Sequence, residues 1–556
     1  MGDQHHRRAL AVELVRLPLQ ELCQPDNVGR LAQVETVDIR IETAQISVAQ
    51  KRYLARDALA QHAVADVEAG IQGHDRPDLA FAHDADVEWC QNDDVANDVD
   101  AVARRFGPGA PSSCKEGPGT KGKGQDMTTI DLHRGGQVRH GAHTARRWLT
   151  ASCLSGVCLA ILTTAAGAAP GERIAVDPAA LPPPHASASA YNGPREVPRP
   201  AGATPSVMPG FRVDLFAAGL DHARAMAIAP DGAVLLAQSR AGTVMRLVDA
   251  DGDGRAETQA PVATDFELPY GIAFRGSTLY VADARGVWRM TYAGAAPAER
   301  VEMITPEGDF GETGGHWTRN LAFSADGSSF FVAIGSESNV GEEPEPRATI
   351  RRYPAPGGTG VTFASGLRNP VGLAINPVTG ALWAVVNERD GLGDDLVPDY
   401  LTEVIEGGFY GWPYAYLGVP DPRFGDRRPD KVAEMRLPDV LFRSHSAPLG
   451  LCFYTGTQFP PEYRGDAFVA LHGSWNAGTP RGYQIARVDF EDGRPVGNGY
   501  EIFLDGFRTD EPGHSGRASV WGRPAAVAVA ADGALLVADD VGGTIWRVVH
   551  GQGSAP

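Results

Sequence analysis

Ala225-Met226-Ala227-Ile228-Ala229-Pro230-Asp231-Gly232 is followed by Ala233-Val234-Leu235-Leu236-Ala237 and then by Gly242-Thr243-Val244-Met245-Arg246-Leu247. The stretch reads as strand, Pro-Asp-Gly turn, strand, glycine turn, strand. Its echoes follow along the chain: 271–274 with 278–282 and 286–290, then 320–323 with the turn Asp326-Gly327 and 330–334. Next come 371–375 with Thr379-Gly380 and 381–386, then 449–454 with 467–471 and 483–488. The last is 525–530 with Asp532-Gly533, 534–538 and 543–548. Short strands rich in β-branched and aromatic residues, parted by glycine turns and uninterrupted by a long helical pattern, predict an all-β fold. Six copies of a three- or four-stranded unit predict a six-bladed β-propeller over 209–550, because radial repetition protects the sheet edges. A β-sandwich or a pair of small barrels would leave the repeated turn chemistry unexplained.

Composition changes sharply upstream of the repeats. Residues 1–126 hold only four aromatics, Tyr53, Phe81, Trp89 and Phe106, and could bury little core. They read either as a small domain or interaction tail, or as a doubtful N-terminal extension translated from a start placed too far upstream. Met127 opens a second plausible N-terminus. Arg146-Arg147 precede an uncharged run over 148–171 that ends in small residues, with an Ala-x-Ala site at Ala166–Ala168. Region 127–169 is therefore expected to be a signal peptide that sends the remainder to the periplasm or outside the cell. If Met1 is the start, the same run would instead act as a membrane anchor. Residues 170–208, rich in Pro and Ala, read as a linker or a wrapped arm.

The 556 residues carry a formal net charge of −19, which argues against nucleic acid as a partner and suits a small-molecule substrate. Of the six cysteines, Cys23, Cys90 and Cys114 fall in the extension and Cys153 and Cys158 in the signal region. Only Cys452 remains downstream, so no disulfide framework is expected there.

Chemistry is sought where long loops interrupt the repeat. Gly314-Gly315-His316-Trp317 offers a histidine, which titrates near neutrality, beside glycines that allow close approach to a ligand. Gly366-Leu367-Arg368-Asn369-Pro370 offers a planar donor fork, equally suited to a structural ion pair. The loop opening at Asn387 carries Glu388, Asp390, Asp394 and Asp395, which suit Ca²⁺ or a solvated acidic surface. His445, His472, Trp521 and Arg523 recur beside strands and would stand around one central mouth. Asp249-Ala250-Asp251-Gly252-Asp253-Gly254 has the start of an EF-hand loop, but position 12 is Ala260. A weakly or structurally bound Ca²⁺ is one expectation there; a plain turn is the other.

Together these loops resemble the pyrroloquinoline quinone (PQQ)-dependent soluble sugar dehydrogenases, in particular the glucose/sorbosone dehydrogenase group. The resemblance spans roughly 210–549. It rests on Gly-Leu-Arg-Asn-Pro at 366–370 and on Gly-Gly-Phe-Tyr-Gly-Trp-Pro at 407–413, downstream of the acidic loop. It implies oxidation of an aldose or sugar aldehyde, with His316 as general base and hydride passing to the quinone. It implies Arg368, Asn369, His472, Arg523, His445 and Trp521 as PQQ contacts, and Ca²⁺ at the acidic loop. An external quinone or cytochrome would accept the electrons. The glucose branch keeps a lysine where His472 stands and a glutamine where Glu267-Leu268-Pro269-Tyr270 stands, and these departures favour a sorbosone-like branch. Two other functions remain open from the residues alone: a calcium-dependent propeller lactonase or hydrolase, and a non-catalytic binding propeller.

Overall fold

The computed structural model describes residues 169–511 and 513–551. The extension at 1–126 and the expected signal region up to residue 168 lie outside them, as do Cys23, Cys90, Cys114, Cys153 and Cys158.

Each repeat unit folds into an antiparallel sheet. Blade 1 comprises Ala223–Ile228, Val234–Gln238, Thr243–Val248 and Thr258–Ala263. Blade 2 comprises Gly271–Arg275, Thr278–Ala282, Val287–Thr291 and Glu299–Met303. Blade 3 runs from Leu321–Phe323 through Ser329–Ile334 and Thr349–Pro354 to Val361–Ser365. Blade 4 runs from Asn369–Ile375 through Leu382–Asn387 and Tyr400–Glu403 to Val440–Leu441. Blade 5 contains Pro448–Phe453, Ala467–Leu471, Gln484–Val488 and Gly499–Asp505. Blade 6 contains Pro524–Val529, Leu535–Asp539 and Thr544–His550. Its fourth strand comes from the other end of the domain: Phe211–Ala218 pairs antiparallel with Thr544–His550. The first strands of successive blades touch one another in turn, and that of blade 6 touches that of blade 1. The result is a closed six-bladed β-propeller.

The second strand of each blade is deeply buried. Val234–Gln238, Ala467–Leu471 and Leu535–Asp539 are buried at every position, since neighbouring blades cover both faces. Hence their sequences are apolar apart from the closing Gln238 and Asp539. Where first strands meet, room is short. A side chain at Gly450 in blade 5 would meet the Ala526 backbone of blade 6 at 2.6 Å.

Residues 170–208 run as an arm on this ring. Arg173–Ala175 pairs with Gly499–Asp505 at the edge of blade 5, and Ser206–Val207 pairs with the same strand. Arg195–Glu196 pairs in parallel with Ser519–Val520 ahead of blade 6. Among the described residues no helix is long and apolar enough to cross a membrane. A short α-helix, Pro429–Glu434, lies between the third and fourth strands of blade 4.

Candidate functional site

The loops that break the repeat converge on one cavity, lined by His316, Arg368, Asn369, His445, His472 and Arg523 from different blades. His316 precedes the first strand of blade 3 and is buried. Its Nδ1 lies 2.8 Å from the Ser336 carbonyl oxygen and 3.0 Å from the Ser336 hydroxyl. A carbonyl can only accept, so Nδ1 carries the proton and Nε2 presents a lone pair. Nε2 is buried and has no hydrogen-bond partner within the protein. Burial, and then the nearby Arg368 charge, hold the imidazole well below the ordinary histidine range, so it is neutral. The loop is pinned from below by the buried Arg319, which donates to the carbonyls of His316 (2.7 Å) and Thr318 (3.0 Å). Two glycines make the seat. Gly315 has φ +62° with the Glu337 backbone only 2.2 Å from where a Cβ would stand, and Gly335 lies against the His316 side chain.

Arg368 is held by three acceptors: Nε donates to the Asn339 carbonyl (2.9 Å), and Nη1 to the Glu388 carbonyl (3.0 Å). Nη2 donates to Asn339 Oδ1 (3.1 Å) and lies 3.6 Å from Asp390. Next to it Asn369 is buried, with Oδ1 lacking a partner. Asp390 also accepts from His445 Nδ1 at 3.1 Å and from Asn476. His445 Nε2 faces the Gly393 carbonyl at 3.1 Å, so both ring nitrogens meet acceptors. Burial alone would lower its pKa, but the Asp390 carboxylate outweighs that and raises it. Asp390 in turn is held below the usual carboxylate range by His445 and Arg368 despite its own burial. A second carboxylate of the lining, Asp399, accepts from the amides of Glu388 and Ala447, both at 2.8 Å, and burial pushes it up to about 7.

Across the cavity His472 Nε2 donates to Asp540 at 2.9 Å, and Asp540 lies 3.0 Å from Arg224. Burial and then the Arg523 charge lower His472 to about 4 in spite of that carboxylate. Arg523 donates through Nε to the His472 carbonyl (3.1 Å) and through Nη2 to the Gly473 carbonyl (2.9 Å). Its own backbone amide is tied to Asp539 at 2.7 Å.

The structure does not gather all the expected residues. Trp521 is buried in the core between blades 5 and 6, against Phe507 and Trp546, and is absent from the lining. Glu388 and Asp390 line the cavity, whereas Asp394 and Asp395 do not. Asp394 accepts from the Gly478 amide and Asp395 pairs with Arg481. The four therefore form no common carboxylate cluster. The carboxylates that do converge, among the described residues, are Asp249, Asp251, Asp253 and Glu257, whose ligand atoms lie within 4.8 Å of one another on the surface of blade 1. Several of those oxygens already accept backbone amides within the turn. Sequence reading missed Arg224 and Asp399 as lining residues. Arg224 could have been found. It stands at the head of a first strand, as Arg319, Arg368 and Arg523 do. Asp399 gave no such sign, because its burial comes from tertiary packing alone.

The family model described as TrAA12-like matches residues 205–399 and 424–551. A protein from Borreliella burgdorferi described as uncharacterized is 27% identical over 312 residues, 52% of this chain and 77% of that one. A pyrroloquinoline quinone-dependent sugar dehydrogenase from Hypocrea jecorina is 27% identical over 330 residues, 49% of this chain and 73% of that one. In fold the chain is similar to the PQQ domain of Coprinopsis cinerea pyranose dehydrogenase in its holo form. That likeness has a TM-score of 0.54 at 20% identity and covers 65% of this chain and all of the other. Because the family match runs through every blade, the chain belongs to the TrAA12-like family, within the soluble PQQ-dependent sugar dehydrogenase group that its sequence resembles.

Proposed function

We propose that the protein oxidises a small sugar, an aldose or a sorbosone-like sugar aldehyde, with PQQ as its bound cofactor. The observation that carries this is the neutral, buried His316, with a partnerless Nε2 facing a cavity ringed by Arg224, Arg368, Arg523 and His445. PQQ is a planar tricarboxylate, and a cationic ring with an unpaired acceptor at Asn369 Oδ1 and an unpaired base suits such a group. Arg224, Arg368 and Arg523 would hold it, with Asn369, His445 and His472 lining its surround. When bound, the quinone supplies a two-electron acceptor for hydride. His316 Nε2 takes the proton of the hydroxyl on the reacting carbon, of an aldose or of the hydrated aldehyde, as the carbon–hydrogen bond is broken. Ser336 keeps that nitrogen free by holding the other. The arginine charges stabilise the anion that grows as the proton leaves.

Calcium enters the proposal as an ion to be tested. Glu388, Asp390, Asp394 and Asp395 do not fit a calcium site in this arrangement. Two of them lie outside the cavity, and Asp390 is already met by His445, Asn476 and Arg368. No step is therefore assigned to the ion. An external quinone or cytochrome as acceptor, and export through the segment at 127–169, complete the proposal.

The test is reconstitution of the purified protein with PQQ, with and without Ca²⁺, followed by dye reduction with a panel of aldoses and sorbosone. Turnover is expected, and His316→Gln should lower kcat by about 10²–10⁴-fold while PQQ still binds. Absence of PQQ binding and of turnover would overturn the dehydrogenase assignment. Full turnover by His316→Gln would overturn the base alone.

A further inference from the structure

One wall of the cavity does not come from the propeller. Tyr191, Gly193, Pro194 and Glu196 of the N-terminal arm line it together with His316, Arg368 and Arg523. The arm reaches that position by crossing the mouth from blade to blade. Near blade 4, His185 donates its amide to the Leu392 carbonyl (2.7 Å), and the Ser187 hydroxyl accepts from the Asp394 amide (2.8 Å). Over blade 5, the Asn192 amide donates to the Trp475 carbonyl and its Nδ2 to the Ala477 carbonyl, both at 2.7 Å. Ahead of blade 6, Arg517 Nε donates to the Gly193 carbonyl (2.8 Å), and Arg195–Glu196 adds a parallel strand to Ser519–Val520. The arm offers its own backbone groups or short side chains at each step, so the path is fixed in register. At its centre the Tyr191 ring stands edge to face with Trp475, centroids 5.4 Å apart, and Tyr191 keeps 54% of its surface exposed.

We infer that segment 191–196 is the substrate-side wall of the site, and that Tyr191, set beside Trp475, is a specificity-determining residue for the sugar. The inference presupposes the sugar oxidation proposed above. The cationic groups suited to the quinone belong to the blade loops, whereas the arm lines the cavity with an aromatic ring and no cation among its four residues. An aromatic face beside the polar side chains of the blade loops suits the apolar side of a sugar ring, and costs little conformational entropy to hold in place.

The full-length protein, loaded with PQQ, is assayed with the same sugar panel. Tyr191→Ala should raise KM about tenfold, leave kcat within about twofold and change the rank order of sugars. PQQ affinity, read by spectral titration, should not move. Tyr191→Phe keeps the ring and should restore the KM. Asn192→Ala removes the side-chain anchor to Ala477 and should raise KM in the same direction. KM values within twofold of wild type for both alanine variants, with wild-type turnover intact, would overturn the inference and leave the dehydrogenase assignment standing. Loss of PQQ affinity in Tyr191→Ala, with sugar KM unmoved, would also overturn it, by placing the arm on the cofactor side. A wild-type protein that neither binds PQQ nor turns over sugar overturns the assignment itself and the inference with it.

Discussion

His316 depends on the absence of a side chain next to it. A Cβ built on Gly335 would lie 2.5 Å from His316 Cβ and 2.7 Å from Asn369 Oδ1, so an alanine must displace His316 or Asn369, the base and a cofactor contact in the proposed reaction. Gly335→Ala is expected to lower kcat by about 10²-fold, the effect of moving a reacting group by about an ångström. Its thermal unfolding should stay near that of wild type; a variant with unchanged kcat would contradict the seat described here. The same surroundings set a pH dependence. Burial, then Arg368, lower the pKa of His316, and its neutral form is the one that accepts a proton. Activity is therefore present above the folded-state pKa and lost as pH falls through it. The acid limb of kcat/KM should inflect below the ordinary histidine value of about 6.5. A limb at or above that value would assign it to another group. His316 was legible from the sequence as a histidine in a glycine-bearing loop. Its partner Ser336 was not, because the contact joins two loops twenty residues apart through a backbone carbonyl, which no residue type announces.

At the scale of the strand, legibility followed burial. The first two strands of each repeat, and the third in blades 1, 2, 5 and 6, were readable because blades sandwich them, and apolar runs between Asp-Gly or Gly-Thr turns leave a clear pattern. The outer strands were not. Thr258–Ala263 shows three exposed residues, and Val440–Leu441 follows an insertion of more than thirty residues after Tyr400–Glu403. The loops divided the same way. The arginine before blade 4 and the histidines near blade 5 were marked by residue type, and the structure brings them to one cavity. The acidic loop misled, since its charges are spent on geometry. Asp394 caps the amide of Gly478 and Asp395 pairs with Arg481, which ties the loop of blade 4 to that of blade 5. An acidic string signals a cation only when the chain bends to bring its oxygens together, and spacing alone does not fix that bend. Trp521 failed for a related reason. Its neighbour Arg523 faces the cavity while the indole turns into the core, where burial of so large a side chain contributes on the order of 2–3 kcal/mol.

The whole ring is closed by a strand from the far end of the domain, and that closure explains why the arm can sit over the mouth. Phe211–Ala218 completes blade 6, so the chain immediately before it must leave from the outer edge of the propeller. It is then tied back along blade 5 by Ser206–Val207 and Arg173–Ala175. Phe211 locks the closing strand. Its ring meets those of Phe459, Tyr463, Phe503 and His550 edge to face, at centroid distances from 4.7 to 5.2 Å. Such aromatic pairs contribute about 0.5–1.5 kcal/mol each beyond area burial. Removing the strand would also leave Thr544–His550 as an open edge carrying Trp546, which is buried in the intact ring. Two truncations separate closure from the arm. A chain beginning at residue 209 keeps the closing strand, loses the arm, and should still unfold in one cooperative transition. A chain beginning at residue 219 loses both, and should bind hydrophobic dye, aggregate and melt without a sharp midpoint. Cooperative melting of the second chain, at a temperature within a few degrees of the first, would mean that the blade 6 closure does not hold the ring together.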